Sequence, residues 1–351
     1  MQPLITHIDQ LTPRWLSDRL RANGHLKQGE VSDIRVEFAK PSFATGVIAR
    51  FRAAYSPAAP DLPDTYFLKI AEPDTSIGEY RFYLDILPHM DADLTVRCFD
   101  TYRDPELRRV HILIEDVSRT HYHGRGTNGP RLRPESESIV DCLARFHAAW
   151  WDHPRLEEFA GPFPAADNVL FSHGPSDYHK KLARLAAEAG GDLSGADRAL
   201  CERALESFPS FKDLHGRRRL KPGNNLTLIH GDALYDNIFL PKDPDRDGVL
   251  LIDWQTREIR LGTDDLANLA LFGMANPAAA IMDDMLRRYH DGLLAQGVAG
   301  YTWEDCRHDW RLSTVRNLAI PINTGDPRVL KRAIANFRAL GCKDLLKGDA
   351  P

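Results

Sequence analysis

His230-Gly231-Asp232-Ala233-Leu234-Tyr235-Asp236-Asn237, followed downstream by Ile252-Asp253-Trp254, is the stretch on which the reading of this 351-residue chain turns. It carries an acid, an amide five residues later and a second acid closing an apolar run. Residues 226–229, 238–240 and 249–252 each read as a short strand. The segment 241–248 between the last two is a cluster of Pro, Asp and Gly, which predicts a hairpin that sets Leu240 near Val249. Counting outward, Asn237 then falls close to Ile252 and Asp253. Oxygen ligands of this kind suit magnesium, which keeps waters and phosphate oxygens in its remaining positions. Asp232 is left to orient a hydroxyl, and the set matches what phosphoryl transfer from a metal-bound nucleotide requires. His-Gly-Asp alone is a common turn tripeptide. The spacing to Asn237, the apolar hairpin and the terminal Asp253 are what lift it above that.

The pattern resembles that of the aminoglycoside phosphotransferase and choline-kinase-like superfamily of small-molecule kinases. Protein kinases carry His-Arg-Asp and Asp-Phe-Gly at the equivalent places; this chain has Gly231, Trp254 and Gln255 there. His-Gly-Asp with Ile-Asp-Trp-Gln is most similar to the ecdysteroid-kinase-like group. The resemblance implies an α+β, protein-kinase-like two-lobe fold, with a small β-rich N-terminal lobe and a larger, mainly helical C-terminal lobe. It divides the chain into a nucleotide-binding lobe at 1–117 and a catalytic, substrate-binding lobe at 118–351. It also implies ATP (GTP is the open alternative) with Mg2+, Asp232 as the catalytic acid and Asn237 and Asp253 as metal ligands.

Other segments fall in the family's order. Residues 66–70 read as a strand with Lys69 inside an apolar run, which resembles the strand whose Lys reaches the phosphates. A strand-end Lys snorkelling to water is the plain alternative. Glu79 resembles the helix Glu that pairs with that Lys. Two partly alternating runs, 31–38 and 47–55, flank a loop at 39–46 where the family keeps its phosphate-covering loop. This loop departs from the glycine-rich form, leaving Ser42, Thr45 and Gly46 as candidates for phosphate contact. Residues 111–117 resemble the hinge, where adenine meets backbone groups between Glu115 and Val117.

Composition limits the remaining possibilities. A net charge of −5 and a pI near 6.3 give no electrostatic case for nucleic acid. Cys98, Cys142, Cys201, Cys306 and Cys342 are dispersed, as reduced cytosolic thiols are. No secretory signal or membrane-length apolar run is apparent, so a soluble, cytoplasmic protein is expected. Its oligomeric state is not written in the sequence.

The rest reads as mainly helical. A helix is predicted over 11–22. Ile139, Leu143, Phe146 and Trp150 mark one face of another, with His147 beside it as a structural histidine. Further helices are expected over 183–208 (broken at Gly190-Gly191), 278–294, 303–318 and 327–346. Residues 118–133 read as a polar loop, and 217–221 as a basic surface turn or an anion-docking site. Asp265, in a stretch that resembles the family's Asp-Leu-Ala segment, is expected to cap a helix and support the catalytic loop, and His230 to brace it. Residues 266–275 are nearly uncharged, Asp283 and Asp284 lie beyond, and Tyr301, Trp303 and Trp310 offer aromatic walls. A neutral or partly apolar alcohol is therefore the expected acceptor. An aminoglycoside or choline-type substrate is the alternative, and so is a pseudokinase that binds nucleotide or a partner without turnover.

Overall fold

Alternating apolar residues build a five-stranded antiparallel sheet near the start of the chain. Its strands are β1 (Val31–Ser42), β2 (Gly46–Tyr55), β3 (Thr65–Ala71), β4 (Cys98–Asp104) and β5 (Arg109–Glu115), in the order β1-β2-β3-β5-β4. The computed structural model describes residues 4–42, 46–59, 62–71, 73–123, 133–160, 175–189, 193–211, 219, 221, 223–273 and 279–346. One face of the sheet presents Phe51, Tyr66, Leu68, Ile70 and Leu113 to Trp15, Leu16 and Leu20 of α1 (Pro13–Ala22). Each such fully buried side chain contributes roughly 1.5–3 kcal/mol. Thr12 caps α1 by accepting from the Trp15 N–H, and Pro13 occupies a first-turn position that needs no donor.

A buried polar network fastens α1 to this sheet. Asp100 on β4 accepts from Arg19 Nε and Nη2, both at 2.7 Å, from Asn23 at 2.8 Å and from His111 Nε2 at 2.7 Å. Burial pushes the Asp100 carboxyl up, but the bonds from Arg19 and His111 outweigh it and hold it at about 2.

The chain packs as two compact units. The first takes in residues 1–123 and 239–256, the second 124–238 and 257–351. The division thus falls at 123 rather than the expected 117, and the first unit also claims the hairpin that carries Asp253. Besides the large sheet, the first unit holds α2 (Pro73–Arg81), which continues into a π turn at Phe82–Ile86. It also holds a small sheet of β6 (His121–His123), β8 (Ile238–Pro241) and β9 (Leu250–Leu251), in the order β6-β8-β9. The predicted hairpin is present, with a third strand taken from the segment expected to be loop; residues 124–132 of that segment lie outside the described residues. The loop expected at 39–46 also contracts. β1 runs on to Ser42, which pairs with Gly46, so only 43–45 can turn, and these lie outside the described residues.

The second unit is mainly helical: α3 (Arg133–Ala149), α4 (Leu156–Ala160), α5 (Pro175–Ala189), α6 (Gly195–Phe211), α7 (Thr263–Gly273), α8 (Ala279–Ala295), α9 (Trp303–Arg316), α10 (Ala319–Thr324) and α11 (Pro327–Ala339). Strands β7 (Thr227–Ile229) and β10 (Glu258–Arg260) pair antiparallel. Ile139, Leu143, Phe146 and Trp150 are all buried, as their spacing predicts. The helix expected over 183–208 is two helices, α5 and α6; Gly190-Gly191 lies outside the described residues. Pro327 opens α11 behind the Asp326 cap, and the helix stops at Ala339 rather than running to Leu346. Among the described residues no helix is long and apolar enough to cross a membrane.

The Asp100 network predicts a pH signature. Its folded pKa lies below the unfolded one, so its stabilisation is complete above about pH 4 and is lost as the pH falls toward 2. Asp100→Asn is expected to lower stability at pH 7 by about 2 kcal/mol. In denaturant melts of the two proteins, that gap narrows steadily between pH 4 and pH 2.

Candidate active site

Period-two alternation on β3 decides where Lys69 points. Leu68 and Ile70 face the core, so Lys69 stands on the opposite face. The strand register sets Ile48 and Ile112 beside it, and Phe67 and Ile114 one pair further along the same face. Lys69 Nζ donates to Glu79 Oε2 at 2.6 Å and to Asp253 Oδ1 at 3.3 Å. Burial lowers the affinity of Lys69 for its proton, but the two carboxylates more than offset this and keep the ammonium charged. Glu79 is fully buried, and burial pushes its carboxyl up against the pull of Lys69.

Asp253 follows β9 with a φ of 66°, a left-handed conformation costly for a residue with a Cβ. Its neighbours hold it there. Trp254 stacks on Phe82 with centroids 3.8 Å apart and rings 5° from parallel. Its Nε1 donates to Thr95 Oγ1 at 3.0 Å, and Thr95 Oγ1 donates to the Leu251 carbonyl at 2.7 Å. Gly78 on α2 packs directly on the backbone of Gln255, so that a Cβ at 78 would collide with the Gln255 carbonyl. The helix that carries Glu79 and the turn that carries Asp253 are therefore in van der Waals contact.

The second unit holds a further group of the expected residues. Asp265 sits in the first turn of α7, wholly buried. Its carboxylate accepts the His230 N–H at 2.7 Å and the Gly231 N–H at 2.9 Å. His147 Nε2 reaches the same carboxylate at 3.1 Å, and His147 Nδ1 lies 2.8 Å from the Tyr289 hydroxyl. Burial raises the Asp265 carboxyl, but His147 and the backbone donors prevail and hold it below the usual carboxylate range. Gly231 has a φ of 81°, which a side chain would oppose. His230 is buried, and its Nδ1 accepts the Asp232 N–H at 3.3 Å, so the ring is tied to the loop backbone.

Asp232 and Asn237 are tied together. Asn237 Nδ2 donates to the Asp232 carbonyl at 2.9 Å and to Asp232 Oδ2 at 2.8 Å. With both amide hydrogens committed, the Asn237 side-chain oxygen is left as the group that can ligate. Asn268, one turn along α7 from Asp265, donates to the Gly231 carbonyl at 3.3 Å. The two side chains hold the Gly231 residue from its N–H and its carbonyl. Sequence reasoning passed over Asn268; its three-residue spacing from Asp265 on a helix was the available signal. It also passed over Ile48, Phe67 and Ile114, whose strand parity with Lys69 marks an apolar surface beside the ammonium.

The remaining expected residues are placed as follows. Ser42 and Gly46 pair across the β1–β2 hairpin; Thr45 and the side chain of Ser42 lie outside the described residues. Glu115 ends β5, and its N–H donates to the Arg97 carbonyl at 2.9 Å. Asp116 is consumed by an ion pair with Arg50 at 2.6 Å. The Val117 carbonyl accepts from Thr120 and His121 at 3.0 and 2.8 Å. Of the basic run, Arg219 is bound to Asp309 rather than exposed for docking; residues 217, 218 and 220 lie outside the described residues. Tyr301 and Trp310 are core residues, and the Tyr301 hydroxyl donates to Asp309 at 2.9 Å. They form no aromatic wall. Residues 266–271 are buried as well, so their lack of charge reflects core packing.

The ecdysteroid kinase-like family matches residues 74–297. That is well over half of the chain and takes in Glu79 and the whole of the 230–253 region. The chain belongs to the ecdysteroid kinase-like family. Solved small-molecule kinases are among this chain's neighbours in fold. A microcompartment-associated aminopropanol kinase superposes with a TM-score of 0.52 at 14% identity, covering 93% of this chain and 95% of that one. Amicoumacin kinase hAmiN, solved with AMP-PNP, Ca2+ and Ami, gives 0.50 at 12% identity, covering 85% and 86%. At these identities the likeness shows the fold, which is the protein-kinase-like α+β fold expected from the sequence. No curated protein matches the chain significantly by sequence. The protein is a small-molecule kinase with an alcohol group as acceptor.

The contact at Gly78 yields a test of this ecdysteroid kinase-like protein. Gly78→Ala is a favourable change for an isolated helix, yet here it must push α2 off Gln255 and draw Glu79 from Lys69. The variant is expected to fold, with a raised nucleotide requirement and turnover lowered ~10-fold. Steady-state kinetics with varied nucleotide checks this; wild-type kinetics would show that the contact does not position Glu79.

Proposed function

We propose that this protein transfers the γ-phosphoryl group of ATP to a hydroxyl of a neutral or partly apolar small alcohol, in a magnesium-dependent reaction. The observation that carries the reading is the pairing of Lys69 with Glu79 and Asp253, and of Asp232 with Asn237. Lys69 is held charged by Glu79 and Asp253, and Asp232 is oriented by Asn237. Lys69 contacts the phosphates, steadied by Glu79. The apolar face formed by Ile48, Phe67 and Ile114 receives the adenine, and backbone groups of Glu115 and Val117 meet its edge. Backbone groups of Ser42 and Gly46, paired at the end of the β1–β2 hairpin, would close on the phosphates; Thr45, the third candidate, lies outside the described residues.

Asn237 Oδ1 and an Asp253 oxygen would hold the metal. Both are hard oxygen donors, and two protein ligands with water and phosphate completing the set is the manner in which magnesium is usually bound. Among the described residues no group of three or more His, Cys, Asp or Glu side chains lies together as a metal cage. Magnesium, when bound there, would neutralise the negative charge of the phosphates. Asp232 accepts a hydrogen bond from the acceptor hydroxyl and aligns it with the γ-phosphorus. A carboxylate is a weak base at neutral pH. In a loose transition state Asp232 takes the proton late, once the O–P bond is forming. The bond from phosphorus to the bridging oxygen breaks, and ADP leaves.

Family membership supports the acceptor class, because an ecdysteroid is a steroid alcohol without ionised groups. Asp283 and Asp284 are exposed on α8 and do not form a buried acidic pocket suited to a polycation. The five cysteines are all free thiols, which supports a reducing, cytoplasmic setting.

Three measurements test the assignment. Asp232→Asn is expected to retain ATP binding within several-fold and to lose ~100-fold or more in turnover; near-normal turnover removes Asp232 from its role. Lys69→Ala and Glu79→Ala should each raise the ATP requirement, and the double variant should be little worse than Lys69→Ala alone, since the pair acts as a unit. Magnesium-dependent ADP release across an alcohol panel should favour steroid or terpenoid alcohols over kanamycin. The opposite preference contradicts the acceptor class.

A further inference from the structure

A cavity of about 460 Å3 opens in the second unit among α6, α11 and the terminal turn Cys342–Leu346. No residue placed in the phosphotransfer machinery lines it. Its volume falls in the range of cavities that take one small molecule. Phe337 and Cys342 are almost wholly buried, and with Leu200 and Leu346 they give it an apolar floor. Arg203, Arg338 and Lys343 also line it.

Among the described residues, the charge of this lining is only partly compensated. Asp197 is bound to Arg338 at 2.7 Å and to the Ser194 hydroxyl at 2.7 Å. The neighbouring acids are committed elsewhere: Glu202 to Arg198 at 2.9 Å, and Asp344 to Arg311. Among the described residues, Arg203 and Lys343 have no carboxylate partner. Glu206, one helical turn from Arg203, makes no ion pair with it. Three cations therefore face one acid across an apolar floor. Arg338 is steadied by Asp197, which leaves the other edge of its guanidinium for a further acceptor.

We propose that this cavity binds an amphipathic anion, with a carboxylate or phosphate head held by Arg203, Arg338 and Lys343 and an apolar body laid against Leu200, Phe337, Cys342 and Leu346. A cation is repelled, a neutral polyol leaves the apolar floor unused, and an inorganic anion gains nothing from it. A recessed cavity of this size matches a single molecule, not a bilayer. The site is separate from the phosphotransfer reading and stands or falls without it.

The test uses the full chain and calorimetric titration with decanoate, decyl phosphate, decanol and inorganic phosphate, all below micelle-forming concentrations. One equivalent of decanoate or decyl phosphate should bind, and whichever binds tighter identifies the head group. Decanol and inorganic phosphate should each bind at least ~10-fold more weakly, because each lacks one of the two contributions. Arg203→Ala/Lys343→Ala, two exposed positions, should keep the wild-type melting temperature and weaken the anion ~10-fold or more. Leu200→Glu, a half-buried change on the floor, should weaken it by a second route. Asp232→Asn should bind it as the wild type does. Equal binding of decanol and decanoate, wild-type affinity in the double variant, competition by magnesium and ATP, or binding only to lipid vesicles would each overturn the proposal, as would no binding of either anion.

Discussion

The Asp265 carboxylate is the constraint on which the His230–Asn237 loop of this kinase rests. A carboxylate buried completely is costly unless its oxygens are filled. Here they are filled by two consecutive backbone N–H groups of the His230-Gly231 turn and by His147. The burial that makes the group expensive also makes each bond strong, because no water competes. A loop that would otherwise sample many conformations is thereby held in one. Asp232 follows directly, and its orientation is inherited from the turn. Asn268 adds a restraint on the Gly231 carbonyl, and Asn237 adds two on Asp232 itself. Orientation of the catalytic carboxylate thus depends on neutral and backbone donors around one buried charge.

In the first unit the corresponding role falls to packing. Asp253 bears an unfavourable backbone conformation, and the compensation comes from the Phe82–Trp254 stack, the Thr95 bridge and the close fit of Gly78 on Gln255. The ion pair of Lys69 with Glu79 is short because α2 is seated on the turn that follows β9. Electrostatics and packing are coupled: displacing the helix removes Glu79 from Lys69 without touching either residue.

Much of this was legible in the sequence, for reasons that differ from residue to residue. The pairing of Lys69 with Glu79 was expected from the family's order of segments, and the structure shows the two side chains 2.6 Å apart. Asp265 was readable as a support for the catalytic loop, and the structure shows it bonded there. The hairpin carrying Asp253 was readable from turn residues between apolar runs. What was not legible depends on long-range packing. β6 is a three-residue strand in a polar segment, formed because β8 offers it an open edge. β10 exists only because β7 is there to pair with it. Tyr301 and Trp310 read as exposed aromatic walls, since a window of sequence does not distinguish an aromatic lining a site from one filling the core. The uncharged run at 266–271 admitted a plain core helix as well as a site wall, and its burial agrees with the core helix. β1 continues through Lys40 and Pro41 because its partner β2 pairs with them, although both residues are poor strand formers.

The first unit is discontinuous: its large sheet comes from residues before 124, and the hairpin that stacks Trp254 on Phe82 comes from 239–256. A chain emerging from the ribosome, amino end first, makes the sheet and α2 long before it makes their partner. Through that interval Phe82 lacks its stacked Trp254, and one side of α2 lacks Gln255, while the first helices of the other unit are being synthesised. Sheet and helix therefore wait in an unfinished state during translation, and slow elongation across 124–238 lengthens the exposure of that apolar surface to chaperones. A message broken before residue 253 would yield a product lacking both the Asp253 carboxylate and the stacked indole that seats the Glu79 helix.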